Sequence, residues 1–323
     1  MTSGKFSVTF AAIVLLLFMF PAMLLAQGRL VKVVVPYAPG GPLDVIARIY
    51  AMKAAESLKE TWIVDFMSGG SGTIGTYAVA KAAADGRTLL LTADIHAMTP
   101  LVMKNVPYDP LKDFVPIARV VEAPLVFVVN PARVRARNLT ELVAEVKADP
   151  KQFSFAIGGL GSKMHLGAEV FRSRVSNDIL IVPYRGTGPA VIDLVSGQVN
   201  MMVASSPSVM QLLRAGKLRA LAVTAARRFE LMPELPTTEE AGLPDFVFTT
   251  SYGFWGPKGL PAEVVARINA TMRQASESSD IRPRLIDLGL SPIWETPEAF
   301  SQHALAEFQS DSRILQKAGV KPE

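Results

Sequence analysis

The stretch Val33–Leu58, VVVPYAPGGPLDVIARIYAMKAAESL, restricts the fold more than any other part of the sequence. Val33–Val35 is a β-branched run of the kind found in buried strands. Pro36, Pro39, Gly40, Gly41 and Pro42 break it within a few residues. Val45, Ile46, Ile49 and Met52 then recur at helical spacing. The pattern predicts a strand, a tight loop and a helix opening at Pro42, where a missing N–H costs nothing. Gly40 and Gly41 let backbone amides face whatever lies above the helix end. Unpaired amides and the helix dipole together suit an anion. The same punctuation also suits a plain strand-to-helix turn, with Asp44 complementing the dipole.

The first 26 residues stand apart. Lys5 is their one charged side chain, and Ala11–Phe20 forms an apolar core ending at Pro21. This reads as a secretory signal peptide cleaved near Ala26, which places the mature protein in the periplasm. A retained N-terminal anchor is the alternative, since the apolar run is close to the roughly 17 residues a spanning helix needs. The chain has no cysteine, so it carries no disulfide and no lipid-modified cysteine. A hydrophobic content of 50% excludes a disordered chain. The formal charge of +4 is spread out, and Arg133, Arg135 and Arg137 read as a solvated face. No nucleic-acid partner is expected from such a distribution.

Strand, loop and helix repeat along the chain. Trp62–Phe66 reads as a second strand, followed by the glycine-rich Ser68–Gly75 and a helix over Ile74–Ala84. Thr88–Thr92 is a third strand that exits through Asp94 and His96. Phe114–Val121 and Leu125–Asn130 read as two strands, and Asn138 with Glu141 has capping-box spacing. Phe153–Ile157, Ile179–Val182, Val199–Val203 and Leu218–Val223 read as strands that alternate with helices. Ser205 lies at the start of one of those helices. Thr237 and Glu240 form a second capping box before a short helix. Thr296 caps a last helix with Pro297 in first position. Alternation of this kind predicts an α/β chain with helices flanking parallel strands. Leu125–Val129 and Thr249–Trp255 are candidate strands crossing between two lobes. The expected lobes are 27–126 with 252–323, and 127–251.

Four loops share one design: Tyr37–Asp44, Gly69–Gly75, Gly158–His165 and Tyr184–Pro189. Each follows a strand, is rich in glycine with a hydroxyl residue, and opens a helix. In open α/β sheets the carboxyl ends of strands face the ligand crevice. The arrangement suggests a carboxylate held between lobes by amides and hydroxyls. Gly70–Gly75 also matches G-x-G-x-x-G, with Asp94 near the place of a ribose-binding acid, so a nicotinamide-dependent enzyme is a competing reading. The three histidines, His96, His165 and His303, lack metal-ligand spacing, and no metal or cofactor is expected. His96 and His165 are either polar contacts to a ligand or local packing residues. Asp94 is either an acceptor for a ligand amine or a helix-capping acid.

VVVPYAPGGPLDVIAR (Val33–Arg48), GGSGTIGTYAVAKAAADGRTLLL (Gly69–Leu91), VPYDPLKDFVPIA (Val106–Ala118), GLGSKMHLGAEVF (Gly159–Phe171), VPYRGTGPAVIDLVSGQV (Val182–Val199), GKLRALAVT (Gly216–Thr224) and MPELPTTEEAGLP (Met232–Pro244) resemble, in order, the Bug family of periplasmic receptors for tripartite tricarboxylate transporters. The resemblance implies a two-lobed, type II Venus-flytrap binding protein with two hinge-crossing strands. It implies a non-enzymatic monomer that captures a small organic acid and hands it to membrane permease subunits. A sensory role toward a signalling partner is the alternative. Matched position by position, the ligand loops would supply Tyr37, Ala38, Gly40, Gly41 and Asp44; Ser71, Gly72 and Thr73; Asp94 and His96; Ser162 and His165; and Tyr184, Gly186, Thr187 and Ser205. Three departures bear on the ligand. Phe66-Met67-Ser68-Gly69 stands where the family often has Asn-Arg-Pro-Gly. Ala204 replaces a frequent Asp, and the third strand's exit is one residue short and carries Asp94.

Overall fold

The computed structural model describes residues 29–322. The expected signal peptide and its cleavage point near Ala26 lie outside the described residues.

Two sheets share one long strand. In the first, β1 (Leu30–Val35) pairs in parallel with β2 (Thr61–Phe66) and β3 (Thr88–Ala93). The late strand β9 (Thr249–Pro257) lies antiparallel between β3 and β4 (Phe114–Val129). The two-residue β10 (Ser291–Pro292) also pairs with β4. In the second sheet, Leu125–Val129 of β4 pairs antiparallel with β7 (Met201–Ser205). The neighbouring β8 (Arg219–Val223) pairs with Val126–Val129 of the same strand. Parallel partners β5 (Ser154–Ile157) and β6 (Leu180–Pro183) complete that sheet.

Side-chain alternation explains why the β4 sequence is apolar without a break. Leu125, Phe127 and Val129 enter one core, with Phe155, Phe171 and Phe246, while Val126 and Val128 enter another on the opposite face. Successive residues of a strand point to opposite faces, and here both faces are covered. The Phe127 and Phe155 rings meet edge-on at 5.5 Å, a geometry worth about 1 kcal/mol beyond burial. The first sheet has its own core around Ile46, Tyr50, Leu89, Leu91 and Phe254.

The expected two strands Phe114–Val121 and Leu125–Asn130 are one 16-residue strand. Pro124 does not end it, because Pro124 pairs with Thr249 at the last rung of the β4–β9 ladder, and Leu125 takes up a new partner in Ser205. A residue without an N–H is tolerated where a ladder terminates. The Thr237–Glu240 capping box forms in full, with Glu240 N–H to Thr237 Oγ1 at 3.1 Å and Thr237 N–H to Glu240 Oε2 at 2.8 Å. It yields only a turn, not the expected helix.

The helices are α1 (Pro42–Leu58), α2 (Thr73–Ala80), α3 (Ile95–Val102), α4 (Leu139–Ala148) and α5 (Lys163–Val175). They continue with α6 (Thr187–Ser196), α7 (Ser206–Arg214), α8 (Ala262–Glu277), α9 (Ile281–Asp287) and α10 (Pro297–Lys317). α3 escaped the sequence reading because it has no polar face: Ile95 through Thr99 are all buried, and Pro100 sits inside it. α10 runs along both halves of the molecule. Phe300 and Ala304 pack with Trp255 of the first sheet, and Leu315 joins the Phe127 core of the second. Among the described residues no helix is long and apolar enough to cross a membrane.

Candidate functional site

Four helices from the two halves of the molecule start at one cleft, and α3 is the one that brings a carboxylate to it, since its N-cap Asp94 and first residue Ile95 line the wall. α1 begins after Gly41 and α6 after Gly186, and neither has a side-chain cap. α5 begins after Ser162, whose Oγ accepts the His165 N–H at 3.2 Å. The amides of Leu43, Lys163, Met164, Thr187 and Gly188 fall in the first turns of these helices, where no intrahelical acceptor exists. Leu43, Lys163, Met164 and Thr187 line a narrow cleft with about 40 Å³ of free space between its walls. The positive ends of α1, α5 and α6 and their spare amides therefore face one space, the arrangement that holds an anion without a fixed cation.

The walls of the cleft touch. The Ala38 N–H donates to the Arg185 carbonyl at 3.0 Å across it. A Cβ on Gly188 would lie 2.7 Å from the Pro39 carbonyl oxygen. Gly186 has φ 132, a conformation that favours glycine, and its own Cβ would come within 3.3 Å of Ala38 N.

Of the residues singled out in the sequence, Tyr37, Ala38, Gly41, Asp94, Ser162, Gly186 and Thr187 share this cleft. Gly40 and Asp44 lie just behind it: the Gly40 N–H donates to Asp44 Oδ2 at 3.0 Å, which ties the loop to the helix start. The Ser71 carbonyl accepts from the Tyr37 hydroxyl at 3.2 Å, and a Cβ on Gly72 would strike that hydroxyl at 2.7 Å. The Ser71–Thr73 loop thus backs Tyr37 and does not line the cleft. His96 sits among Tyr108, Phe114 and Trp255, and burial lowers its pKa to about 4, so it is neutral. The Gly161 N–H donates to His165 Nδ1 at 3.0 Å, and that ring faces Glu169. The Tyr184 hydroxyl donates to Asp193 at 2.7 Å. Ser205 is buried against the Tyr252 hydroxyl at 3.0 Å.

Sequence reasoning missed Lys163, Met164, Thr250 and Tyr252 on the cleft wall. Lys163 is the most consequential. Its ammonium lies 2.6 Å from Asp311 and 3.4 Å from Glu307, both on α10. Burial acts to discharge it, but the carboxylates of Asp94, Glu307 and Asp311 outweigh burial and hold its pKa above the usual range. Asp94 Oδ2 accepts the Ser251 N–H at 3.0 Å. Burial first, then the nearby Glu307 and Asp311 charges, raise its pKa from 3.8 to about 7, against the opposing pull of Lys163.

That shift has a measurable consequence. Between pH 4 and 7 the folded protein holds a proton on Asp94 that the unfolded chain has released, so this group's contribution to stability falls as pH rises through that window. Asp94→Asn is expected to gain in melting temperature relative to the parent from pH 4 to 7 and then level off. Thermal denaturation of both proteins across pH 4.5 to 8 checks it, and a constant difference would refute the shift.

The family model for the tripartite tricarboxylate transporter family receptor matches residues 46–320. The chain belongs to that family. It is 36% identical over 299 residues to Protein BugT of Bordetella pertussis (strain Tohama I / ATCC BAA-589 / NCTC 13251), covering 91% of this chain and 90% of that one. It is 39% identical over 295 residues to the UPF0065 protein in the tcbD-tcbE intergenic region of Pseudomonas sp. (strain P51), covering 91% and 86%. Among solved receptors, Rpa4515 of R. palustris with adipate superposes with a TM-score of 0.88 at 32% identity, covering 91% and 99%. MatC of Rhodopseudomonas palustris with bound malate superposes at 0.84 and 32%, covering 89% and 99%. The two-lobed α/β binding-protein architecture implied by the sequence resemblance is the fold of this receptor. The periplasmic binding protein BugD superposes with a TM-score of 0.87 at 32% identity, and the glycine-rich Gly70–Gly75 loop packs on Tyr37.

Proposed function

We propose that the protein is a periplasmic receptor that captures one small organic acid between its lobes and delivers it to the membrane subunits of a tripartite tricarboxylate-type transporter. The convergence of the α1, α5 and α6 N-termini, the last two from the half of the chain opposite to α1, carries this reading. The ligand carboxylate would take the spare amides of Leu43, Thr187 and Gly188, with Ala38, Gly41 and Ser162 closing around it. The lobes in this reading are 27–126 with 252–323, and 127–251, hinged on β4 and the start of β9. The first 26 residues would act as an export signal removed near Ala26, and the receptor would work as a monomer. That adipate and malate occupy relatives of the same fold supports a carboxylate here.

Thermal-shift measurement against a panel of mono-, di- and tricarboxylates and amino acids tests the proposal. A ligand at ~100 times its Kd stabilises the folded state by about 2.7 kcal/mol. At least one acid is expected to raise the melting temperature accordingly. No shift with any acid of the panel would overturn the reading.

A further inference from the structure

The cleft has two electrically different ends. One is built from the N-termini of α1, α5 and α6. At the other stands Asp94, the residue at which α3 starts, with Glu307 lining the small void behind it and Asp311 beyond, so that one helix end is set against three carboxyl groups. Lys163 is the cation at this end, but Asp311 and Glu307 already claim its ammonium. Asp94 lies in no ion pair within 4 Å among the described residues, and the one hydrogen bond its side chain accepts, from Ser251 N–H, falls on Oδ2. Among the described residues its Oδ1 has no hydrogen-bond partner, and Asp94 lines the cleft. The hydroxyls of Tyr37 and Tyr252 are held elsewhere, on the Ser71 carbonyl and Ser205, and burial first of all keeps both protonated.

A second carboxylate placed at this end would meet Asp94, Glu307 and Asp311, of which Glu307 also has His303 at 3.5 Å and the more distant Arg119, while Asp94 and Asp311 have Lys163 alone. Like charges in a confined space repel strongly where water is excluded. An ammonium would meet an acceptor oxygen with a spare lone pair and a surplus of negative charge around it. The apolar side walls of Leu43, Ile95 and Met164 between the ends suit a hydrocarbon spacer.

We infer that the ligand is a zwitterionic amino acid, with its carboxylate at the helix N-termini and its ammonium on Oδ1 of Asp94, and that the cleft discriminates against dicarboxylates. This rests on the carboxylate reading above and specifies the other end of the molecule. It sets the protein apart from relatives that hold adipate and malate.

Matched sets differing at one end test it by titration calorimetry at pH 8. The sets are 4-aminobutanoate, succinate and butanoate; 6-aminohexanoate, adipate and hexanoate; and 4-(aminomethyl)benzoate, terephthalate and 4-methylbenzoate. In at least one set the amino acid is expected to bind tenfold or more tightly than both partners. In Asp94→Asn the ratio of amino-acid to dicarboxylate affinity is expected to fall at least tenfold, with circular dichroism confirming the fold. Dicarboxylates binding as tightly as the amino acids in wild-type protein would overturn the inference while leaving the carboxylate reading intact. An unchanged ratio in Asp94→Asn would overturn it as well. Binding of no acid in any set would overturn both.

Discussion

Gly188→Ala is expected to hold the cleft walls apart and so weaken ligand binding by roughly 5- to 150-fold, while the unliganded protein, free to part its walls, stays as stable as before. Gly188 lies in the first turn of α6 and has no need of glycine's conformational freedom. Alanine is the better helix former, by up to about 1 kcal/mol in a helix interior. What demands glycine is the opposite wall of the cleft. The new methyl would stand 2.7 Å from the Pro39 carbonyl oxygen and 3.1 Å from the Gly40 carbonyl carbon, both backbone atoms. Backbone cannot swing aside as a long side chain can, so the walls must part. Overpacking of this kind costs about 1–3 kcal/mol, and 1.4 kcal/mol is tenfold in affinity. The two effects fall on different observables. Calorimetric titration with the acid that gives the largest thermal shift reads the first, and the melting temperature of the free protein reads the second. Unchanged affinity would mean that the liganded walls do not approach as closely as these do.

Lys163→Met is expected to destabilise the protein by about 3–5 kcal/mol, the usual result of removing one partner from a buried ion pair. The side chains of Lys163 and Asp311 are only 10% and 5% exposed, so solvent screens little of the loss. At a few degrees per kcal/mol for a chain of this size, the melting temperature should drop on the order of 10 °C. Methionine keeps the length of the side chain, so the loss is one of charge rather than volume. Asp311 would be left buried and unpaired, with Glu307 and Asp94 close by. Adding Asp311→Leu should recover much of the loss, because an apolar pair can replace a buried ionic one at little cost. Thermal melts of the two single variants and the double variant check this. A single variant as stable as the parent would show that the pair contributes nothing.

The strand-loop-helix units were legible because their signals are local. Gly40, Gly41 and Pro42 mark the α1 start, and Thr296 with Pro297 marks the α10 start, each within a few residues. The cap of α4 was equally plain: the Glu141 N–H donates to Asn138 Oδ1 as the spacing implies, while the Glu141 carboxylate accepts from the Asn138 side-chain amide and the Arg137 N–H. Lys163 was not legible. Between Ser162 and Met164 it looks like any exposed lysine at a helix start, and its partner Asp311 lies far away in sequence, on α10. Tyr252 reads as one more apolar strand residue until the fold brings β9 beneath the cleft. For the two histidines the sequence left ligand contact and local packing both open. Their loops adjoin the cleft, yet ring packing and a backbone amide account for where His96 and His165 point.

The place of β9 in the first sheet has a consequence for how the protein is made. β9 is the strand that joins β3 to β4, and it enters the chain only at Thr249. A nascent chain that has finished β1 to β4 therefore holds two unjoined pieces of sheet with open edges. The second sheet, by contrast, draws β4 to β8 from one continuous stretch and can close first. Pairing across such sequence distances is slow, and unpaired edges invite aggregation until it happens. The half of the molecule that begins at the N-terminus is thus the last to become whole, and it waits on residues made near the end of synthesis.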